Sequence, residues 1–374
     1  MSLSVGYIVI FVIVSSAATV AVGFSGYMAI FIPYVPEIII AIILIVLLSI
    51  VNFYGISESI NINVLFTFVE LVGLFFIIIA AFASCQIYNT DYFEIPKNNS
   101  PSSLNPGLML GLIFSAAGLI FFAFLGFENI VNIADETKVP NKTIPKALMI
   151  SIIVTIVIYI LIAISAVSLV GWHDLYLSEA PLAKAAEKAS GIVGTFILSV
   201  IALFATSNTV LMMLVSGSRL IYGISNDRRS SLSSFLSKIH SKRKTPWLSI
   251  LVVMLIAIMI VILFNGTLSV IAGVTVFCVL VLYTIINIAL IRLRYKKNRL
   301  DRQFTSPLSI KRFPILSGLG IVLSVMILLQ FELQIMRDGV ICIIGIIFFV
   351  YVSRIIGRLV DDARRRRRPQ KNDY

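Results

Sequence analysis

Long apolar runs, separated by short polar segments, organise almost the whole chain. A helix needs about 20 mostly apolar residues to cross the hydrocarbon core of a bilayer. These runs are apolar at successive positions and do not alternate every second residue, which favours spanning helices over a β-barrel. The pattern predicts about ten spanning helices, at residues 4–32, 37–54, 61–83, 107–135, 146–170, 192–222, 247–264, 268–291, 314–332 and 338–357.

Composition places the chain outside the soluble class. Of its 374 residues, 59% are hydrophobic and 13% are charged, whereas soluble domains average roughly 45–50% apolar and 25% charged residues. We therefore predict an all-α polytopic membrane domain over 1–360, followed by a basic cytoplasmic tail over 361–374. Between the spans, the segment 178–189 has the pattern of a short surface helix.

The positive charges are distributed very unevenly between alternate loops. The net charge is +12, and 26 of the 30 Lys and Arg residues fall in loops on one side of the predicted membrane. By the positive-inside rule that side is the cytoplasm. The sequence thus predicts a multi-pass protein of the cell membrane with both termini inside, and the basic residues indicate orientation and lipid contact instead of nucleic-acid binding.

The sequence contains no recognisable catalytic or metal-binding pattern. Cys85, Cys278 and Cys342 lack metal-ligand or redox spacing, and His173 and His240 fall in predicted loops. No Ser/His/Asp set or carboxylate pair occurs at membrane depth. We therefore expect no enzyme activity and no cofactor.

The fourth span carries the most informative motif. The segment FFAFLGF, residues 121–127, surrounds Gly126 with aromatic side chains, and Glu128, Asp135 and Glu136 follow while the helical pattern continues. A helix break at Gly126 would free backbone groups, which are tolerated at membrane depth only where they line a cavity. The residues alone leave two interpretations open: a break, or an ordinary long helix with a glycine packing contact.

This stretch, FFAFLGFENIVNIADETKVPNKTIPKAL, resembles the sixth-helix signature of the amino acid–polyamine–organocation (APC) permeases. It departs from that signature at Val139-Pro140, where Asn-Pro is usual. Residues 52–79, 205–250, 287–296 and 313–320 are similar to other helices of the same family. The resemblance implies a transporter fold with a five-plus-five inverted repeat and the activity of a secondary amino-acid transporter.

Numbering by resemblance leaves two helices unaccounted for. The family usually has twelve spans, and here the sixth-helix signature lies in the fourth span. We expect a truncated gene, a misassigned start, or a split protein whose separate fragment supplies the first two helices. The intact mass of the protein from its cell, read with the DNA upstream of Met1, distinguishes these cases.

The resemblance also implies a substrate site at the aromatic segment. Backbone carbonyls near Phe122, Ala123 and Leu125 would receive the substrate's amino group, and Gly126 would permit unwinding. Phe122 matches an aromatic gate, with ordinary helix packing as the alternative. The implied site residues are Phe122, Ala123, Phe124, Leu125, Gly126 and Phe127.

Glu70 is a second candidate, on grounds of depth. It lies ten residues into the third span and thus about 15 Å deep, where an ionisable side chain is costly and suggests function. It is interpreted as a proton carrier, a Na⁺ ligand or a permanently neutral, hydrogen-bonded glutamate. By resemblance, Thr206 and Ser207 belong to the helix that forms the cation site, although hydroxyl groups also join helices by hydrogen bonds.

The sequence therefore favours transport of amino acids by alternating access, coupled to H⁺ or Na⁺ or operating as exchange. Two alternatives stay open: a polyamine or organic-cation transporter, and a transport-inactive remnant or regulatory partner of an intact permease.

Overall fold

The computed structural model describes residues 2–55, 60–84, 90, 92, 106–127, 139–226, 237–241, 243, 245–296, 309–310 and 313–366. The long helices are α1 (Ser2–Ala29), α2 (Glu37–Tyr54), α3 (Ile60–Ala83), α5 (Pro140–Val170), α7 (Pro181–Asn226), α9 (Leu268–Lys296) and α11 (Leu333–Arg366). Shorter elements are α4 (Pro106–Ile120), α6 (Trp172–Tyr176), α8 (Trp247–Leu263), α10 (Ile315–Leu328) and a two-stranded sheet of β1 (Ser309–Ile310) and β2 (Phe313–Pro314).

The described helices confirm an all-α polytopic membrane protein. Seven of them are long and apolar enough to cross a membrane, and three further apolar helices are shorter. Each of the ten predicted spans thus coincides with an apolar helix. The sequence missed only the two-residue strands and the single-turn helix α6, which are too short to leave a periodic signal.

One predicted boundary and one predicted surface position are wrong. The fourth span was expected to continue to residue 135, but α4 ends at Ile120 and is followed by a 3₁₀ turn over Phe121–Phe124; residues 128–138 lie outside the described part. The segment 178–189 does form a short helix, because Ser190 and Gly191 interrupt α7 with non-helical dihedral angles. It is not simply a surface helix, however, since Ala185 and Ala186 are fully buried.

Proline lies at the start of several helices, and glycine lies at the end of α2. Pro36 precedes α2, Pro246 precedes α8 and Pro314 precedes α10; proline suits these positions because it lacks the backbone N–H that a first turn leaves unpaired. At the other end of α2, Gly55 adopts a left-handed conformation (φ 74°) and its N–H donates to the carbonyl of Asn52. The carbonyl of Asn52, in the last turn of α2, therefore has a hydrogen-bond donor.

Contacts between Cα atoms divide the chain into two compact units. The first comprises Met1–Ile62, Thr206–Leu282 and Glu332–Tyr374. In it, α1 packs against α2, α8 and α11. Small side chains on α1 permit this close approach, and Ala17, Ala18 and Ala21 are fully buried there. Small residues serve this purpose in membranes because helix association depends on close van der Waals packing.

The second unit comprises Asn63–Ala205 and Tyr283–Phe331. One core lies between α3, α5 and α7, where Ile77 and Ala81 meet Ala166, Ala185 and Leu198 in a single buried cluster. A second contact joins α4 to α10. These packed helices frame the end of α4 and one face of α5.

Two glycines on α11 provide a matched test of packing in the first unit. Gly339 is buried, and a Cβ atom placed there would collide with the ring of Phe277, whereas a Cβ at Gly345 would meet nothing within 4 Å. We expect Gly339→Ala to destabilise the protein by about 1–3 kcal/mol through overpacking. Gly345→Ala should leave stability unchanged or raise it slightly, because alanine is the better helix former.

The measurement is the midpoint of thermal aggregation in detergent, compared between the two variants and the wild type. An unchanged midpoint for Gly339→Ala, or an equal loss in both variants, would contradict the close contact between α9 and α11.

Candidate functional site

The backbone leaves the helical conformation at the aromatic segment of the fourth span. After the 3₁₀ turn, Leu125 is extended (φ −75°, ψ 142°) and its N–H donates to the carbonyl oxygen of Phe122 at 3.1 Å. Gly126 follows with φ 112°, a conformation that residues with a side chain rarely adopt. Of the two interpretations that the sequence left open, the structure shows the break.

A cavity of about 350 Å³ lies beside this break. Its size is within the range of small-molecule sites, at the lower end. One wall is the interrupted backbone and the other is a face of α5. The lining residues are Ala123, Leu125, Gly126, Phe127, Ser151, Thr155 and Tyr159. The break therefore opens onto a cavity that it shares with α5.

The polar part of the cavity comes from α5. Ser151, Thr155 and Tyr159 are spaced four residues apart, so their side chains stack along one face of the helix. Sequence reasoning missed these three residues. Their four-residue spacing within an otherwise apolar span was the available signal, but hydroxyl groups in spanning helices commonly serve only to join helices.

Tyr159 connects α5 directly to the broken backbone. Its hydroxyl donates a hydrogen bond to the carbonyl oxygen of Ala123 at 3.1 Å. Its ring meets that of Phe124 edge to face, with centroids 5.4 Å apart, and Phe124 in turn stacks on Phe127 at 6.4 Å. The turn before Gly126 is thus held from the α5 side by one hydrogen bond and by aromatic packing.

The carbonyl groups of this turn keep capacity for a ligand. Phe122 accepts from Leu125, and Ala123 accepts from Tyr159. A carbonyl oxygen has two lone pairs and accepts a second hydrogen bond. The C-terminal end of a helix also carries partial negative charge, which attracts a cation such as an ammonium group.

Glu70 is half-buried on α3, in the same unit as Tyr159, and it is not among the residues that line the cavity. Its part in ion coupling stays a prediction.

The other predicted residues occupy different positions. Phe122 and Phe124 are half-buried but do not line the cavity. Phe124 supports Tyr159 instead, and Phe122 contributes its backbone carbonyl. Thr206 and Ser207 are half-buried on α7, in the part that belongs to the first unit. The acidic residues 128, 135 and 136 lie outside the described residues.

Within the described ranges, no group of three or more His, Cys, Asp or Glu side chains has the arrangement of a metal site.

Comparison with known proteins assigns the chain to a family. The chain is 27% identical to the branched-chain amino acid permease BcaP of Bacillus subtilis, over 81% of this chain and 61% of that protein. It is 29% identical to the inner membrane transport protein YbaT of Escherichia coli, over 61% and 50% of the two chains. It is also 27% identical to the chloroplastic cationic amino acid transporter 7 of Arabidopsis thaliana, over 52% and 32%.

The chain therefore spans less than two thirds of the length of these relatives. The family model described as "Amino acid permease" matches residues 1–352, nearly the whole chain. Together with the apolar helices, this match shows that the chain belongs to the amino acid permease family of membrane transporters.

Proposed function

We propose that this chain moves amino acids across the membrane as a secondary transporter working by alternating access. The observation that carries the proposal is the helix break at Leu125–Gly126, which opens onto a cavity in the middle of an apolar helix pair. Unwound backbone at membrane depth is tolerated where it lines such a cavity, and transporters use it to bind substrates and ions.

The substrate's ammonium group binds the carbonyl oxygens of Phe122, Ala123 and Leu125, at the negative end of α4 and its 3₁₀ turn. The substrate's carboxylate accepts hydrogen bonds from the hydroxyl groups of Ser151 and Thr155. Both features recognise the backbone part that all α-amino acids share.

An apolar side chain suits the rest of the cavity. Ala123, Leu125 and Phe127 line it, and no charged side chain does so among the described residues. A neutral aliphatic amino acid avoids the cost of burying an unpaired charge. The name of the Bacillus subtilis relative, a branched-chain amino acid permease, agrees with this choice. Leucine, isoleucine and valine are therefore the first substrates to test, and lysine and polyamines are the competing candidates.

Coupling to protons operates through Glu70 and Tyr159. An ionised Glu70, in the same unit, acts through space on the hydroxyl of Tyr159 and perturbs its hydrogen bond to the carbonyl of Ala123. When Glu70 takes up a proton, this perturbation ends and Tyr159 binds the turn more firmly. The proton thereby favours the arrangement of the turn that receives the substrate. Na⁺ coupling at Thr206 and Ser207 is the competing mechanism.

The transport test is uptake by the purified protein in liposomes. We expect accumulation of radiolabelled leucine under an imposed pH gradient, and we expect Tyr159→Phe to lower the rate about fivefold, since one hydrogen bond contributes about 1 kcal/mol. Tyr295→Phe is the matched control, because Tyr295 is exposed at the end of α9 and loses the same hydroxyl away from the cavity.

No uptake of leucine, lysine or polyamine by folded wild type would refute autonomous transport and favour a regulatory role. Equal rates for Tyr159→Phe and Tyr295→Phe would remove Tyr159 from the site.

A second experiment isolates the coupling ion. Glu70→Gln keeps the size of the side chain but cannot ionise, so uptake should lose its dependence on the pH gradient while exchange of internal for external leucine continues. The measurement is uptake across external pH values with and without a gradient. Retained pH dependence would exclude Glu70, and a requirement for a Na⁺ gradient would place coupling at another cation site.

We also propose that the protein lies in the cell membrane with both termini cytoplasmic, because 26 of its 30 Lys and Arg residues follow that orientation. In a variant without native cysteines, Ser102→Cys should react with an impermeant thiol reagent in intact cells, and Ser233→Cys only after permeabilisation. The reverse labelling pattern would overturn the orientation.

A further inference from the structure

The C-terminal end of α2 is closed by the segment that leads into α8. The hydroxyl of Thr245 donates to the carbonyl oxygen of Phe53 at 3.0 Å, and the N–H of Gly55 donates to the carbonyl oxygen of Asn52 at 3.1 Å. Asn52 also donates through its side chain to the hydroxyl of Ser218. These groups all belong to the first unit, and the carbonyls of Asn52 and Phe53 are already supplied with donors.

Arg243 packs over two aromatic rings at this point. Its guanidinium carbon is 3.7 Å from the ring centroid of Tyr54 and 4.8 Å from that of Phe53. His240 packs edge to face on Phe53 at 5.5 Å, and its Nδ1 accepts a hydrogen bond from the backbone N–H of Arg243 at 3.4 Å. Stacking engages the face of the guanidinium, so its in-plane N–H groups still require acceptors.

The charge of Arg243 is not compensated by the described protein. Its Nη1 atom is buried and has no hydrogen-bond acceptor, and none of the ion pairs in the described ranges includes Arg243. The surrounding segment adds further positive charge, because residues 227–246 contain six Lys and Arg residues and only one acidic residue. A half-buried cation without an anion is costly, which points to an anionic partner beyond the described residues.

The position of Arg243 indicates what that partner is. Tyr54 ends one apolar helix and Trp247 begins another, so the cluster lies where both leave the hydrocarbon core. Tyr54 is 58% exposed and Trp247 is 37% exposed, as is typical of aromatic residues at the headgroup level. Anionic phospholipids lie at this level, and they attract basic segments beside spanning helices.

We propose that Arg243, held over the ring of Tyr54, binds the phosphate of an anionic phospholipid at the membrane surface beside the end of α2. The outward edge of the guanidinium donates two parallel hydrogen bonds to phosphate oxygens. The phosphate thereby neutralises the delocalised positive charge of the guanidinium, although it does not supply an acceptor to the buried Nη1. The bound lipid stabilises the junction between α2 and the segment before α8.

The test measures how anionic lipid shifts thermal stability. Purified protein in detergent is titrated with phosphatidylglycerol or with zwitterionic phosphatidylcholine, and the melting midpoint is followed. A ligand that binds only the folded state raises that midpoint with its concentration. We expect phosphatidylglycerol to raise the wild-type midpoint by several degrees more than phosphatidylcholine does, and we expect Arg243→Gln to abolish that difference.

Two further variants separate a specific site from general charge. Arg243→Lys keeps the charge but loses the planar pair of donors, so it should retain less than half of the lipid-dependent shift. Arg292→Gln, the same substitution at an exposed position of α9, should respond like the wild type. The lipid-dependent difference is compared within each variant, so a lower starting stability does not affect the result.

Equal responses of Arg243→Gln and wild type would overturn the proposal, as would a loss in Arg292→Gln as large as that in Arg243→Gln. A comparable rise produced by inorganic phosphate in phosphatidylcholine would assign the site to a soluble anion and also refute the lipid assignment.

Discussion

The fold depends on one constraint: backbone polar groups in an apolar medium must find their partners inside the protein. Continuous helices meet this requirement by themselves, which explains why nearly all described residues of the membrane domain are helical. Where the backbone leaves the helical conformation near Gly126, its polar groups need hydrogen-bond partners from another helix. Tyr159 of α5 is such a partner, since its hydroxyl donates to the carbonyl of Ala123. The hydroxyl-bearing face of α5 therefore helps to hold the turn before Gly126.

The same requirement recurs where helices end. At the end of α2, Gly55 and Thr245 donate to the last carbonyls, so the loop before α8 is part of that helix's terminus. At Ser190–Gly191 the chain turns between two helical pieces, and the first piece buries its alanines against α3 and α5. Helix ends and breaks are thus the places where distant parts of the chain are joined, while the helix interiors contribute mainly lateral packing.

The sequence predicted the elements better than it predicted their partners. Apolar runs of 17 or more residues leave a strong signal, and each was found as a helix. The position of Gly126 among aromatic residues indicated a possible helix break. It could not distinguish a break from a continuous helix, because a glycine that only permits close packing has the same local sequence. Ser151, Thr155 and Tyr159 were missed because their role depends on the cavity opposite them, which is a tertiary feature. For the same reason the contact of Phe124 with Tyr159 was not predicted, while its expected position beside a substrate stays a prediction.

The position of Glu70 as a single carboxyl group on α3 has a consequence for energetics. One carboxylate takes up one proton, so the coupling proposed for Glu70 moves one proton with each amino acid. The membrane potential then contributes about 2.3 kcal/mol per 100 mV, which corresponds to roughly a fiftyfold concentration ratio. The stoichiometry of the transporter, and with it the steepest gradient it can sustain, would follow from the number of carboxyl groups that take up a proton in each cycle.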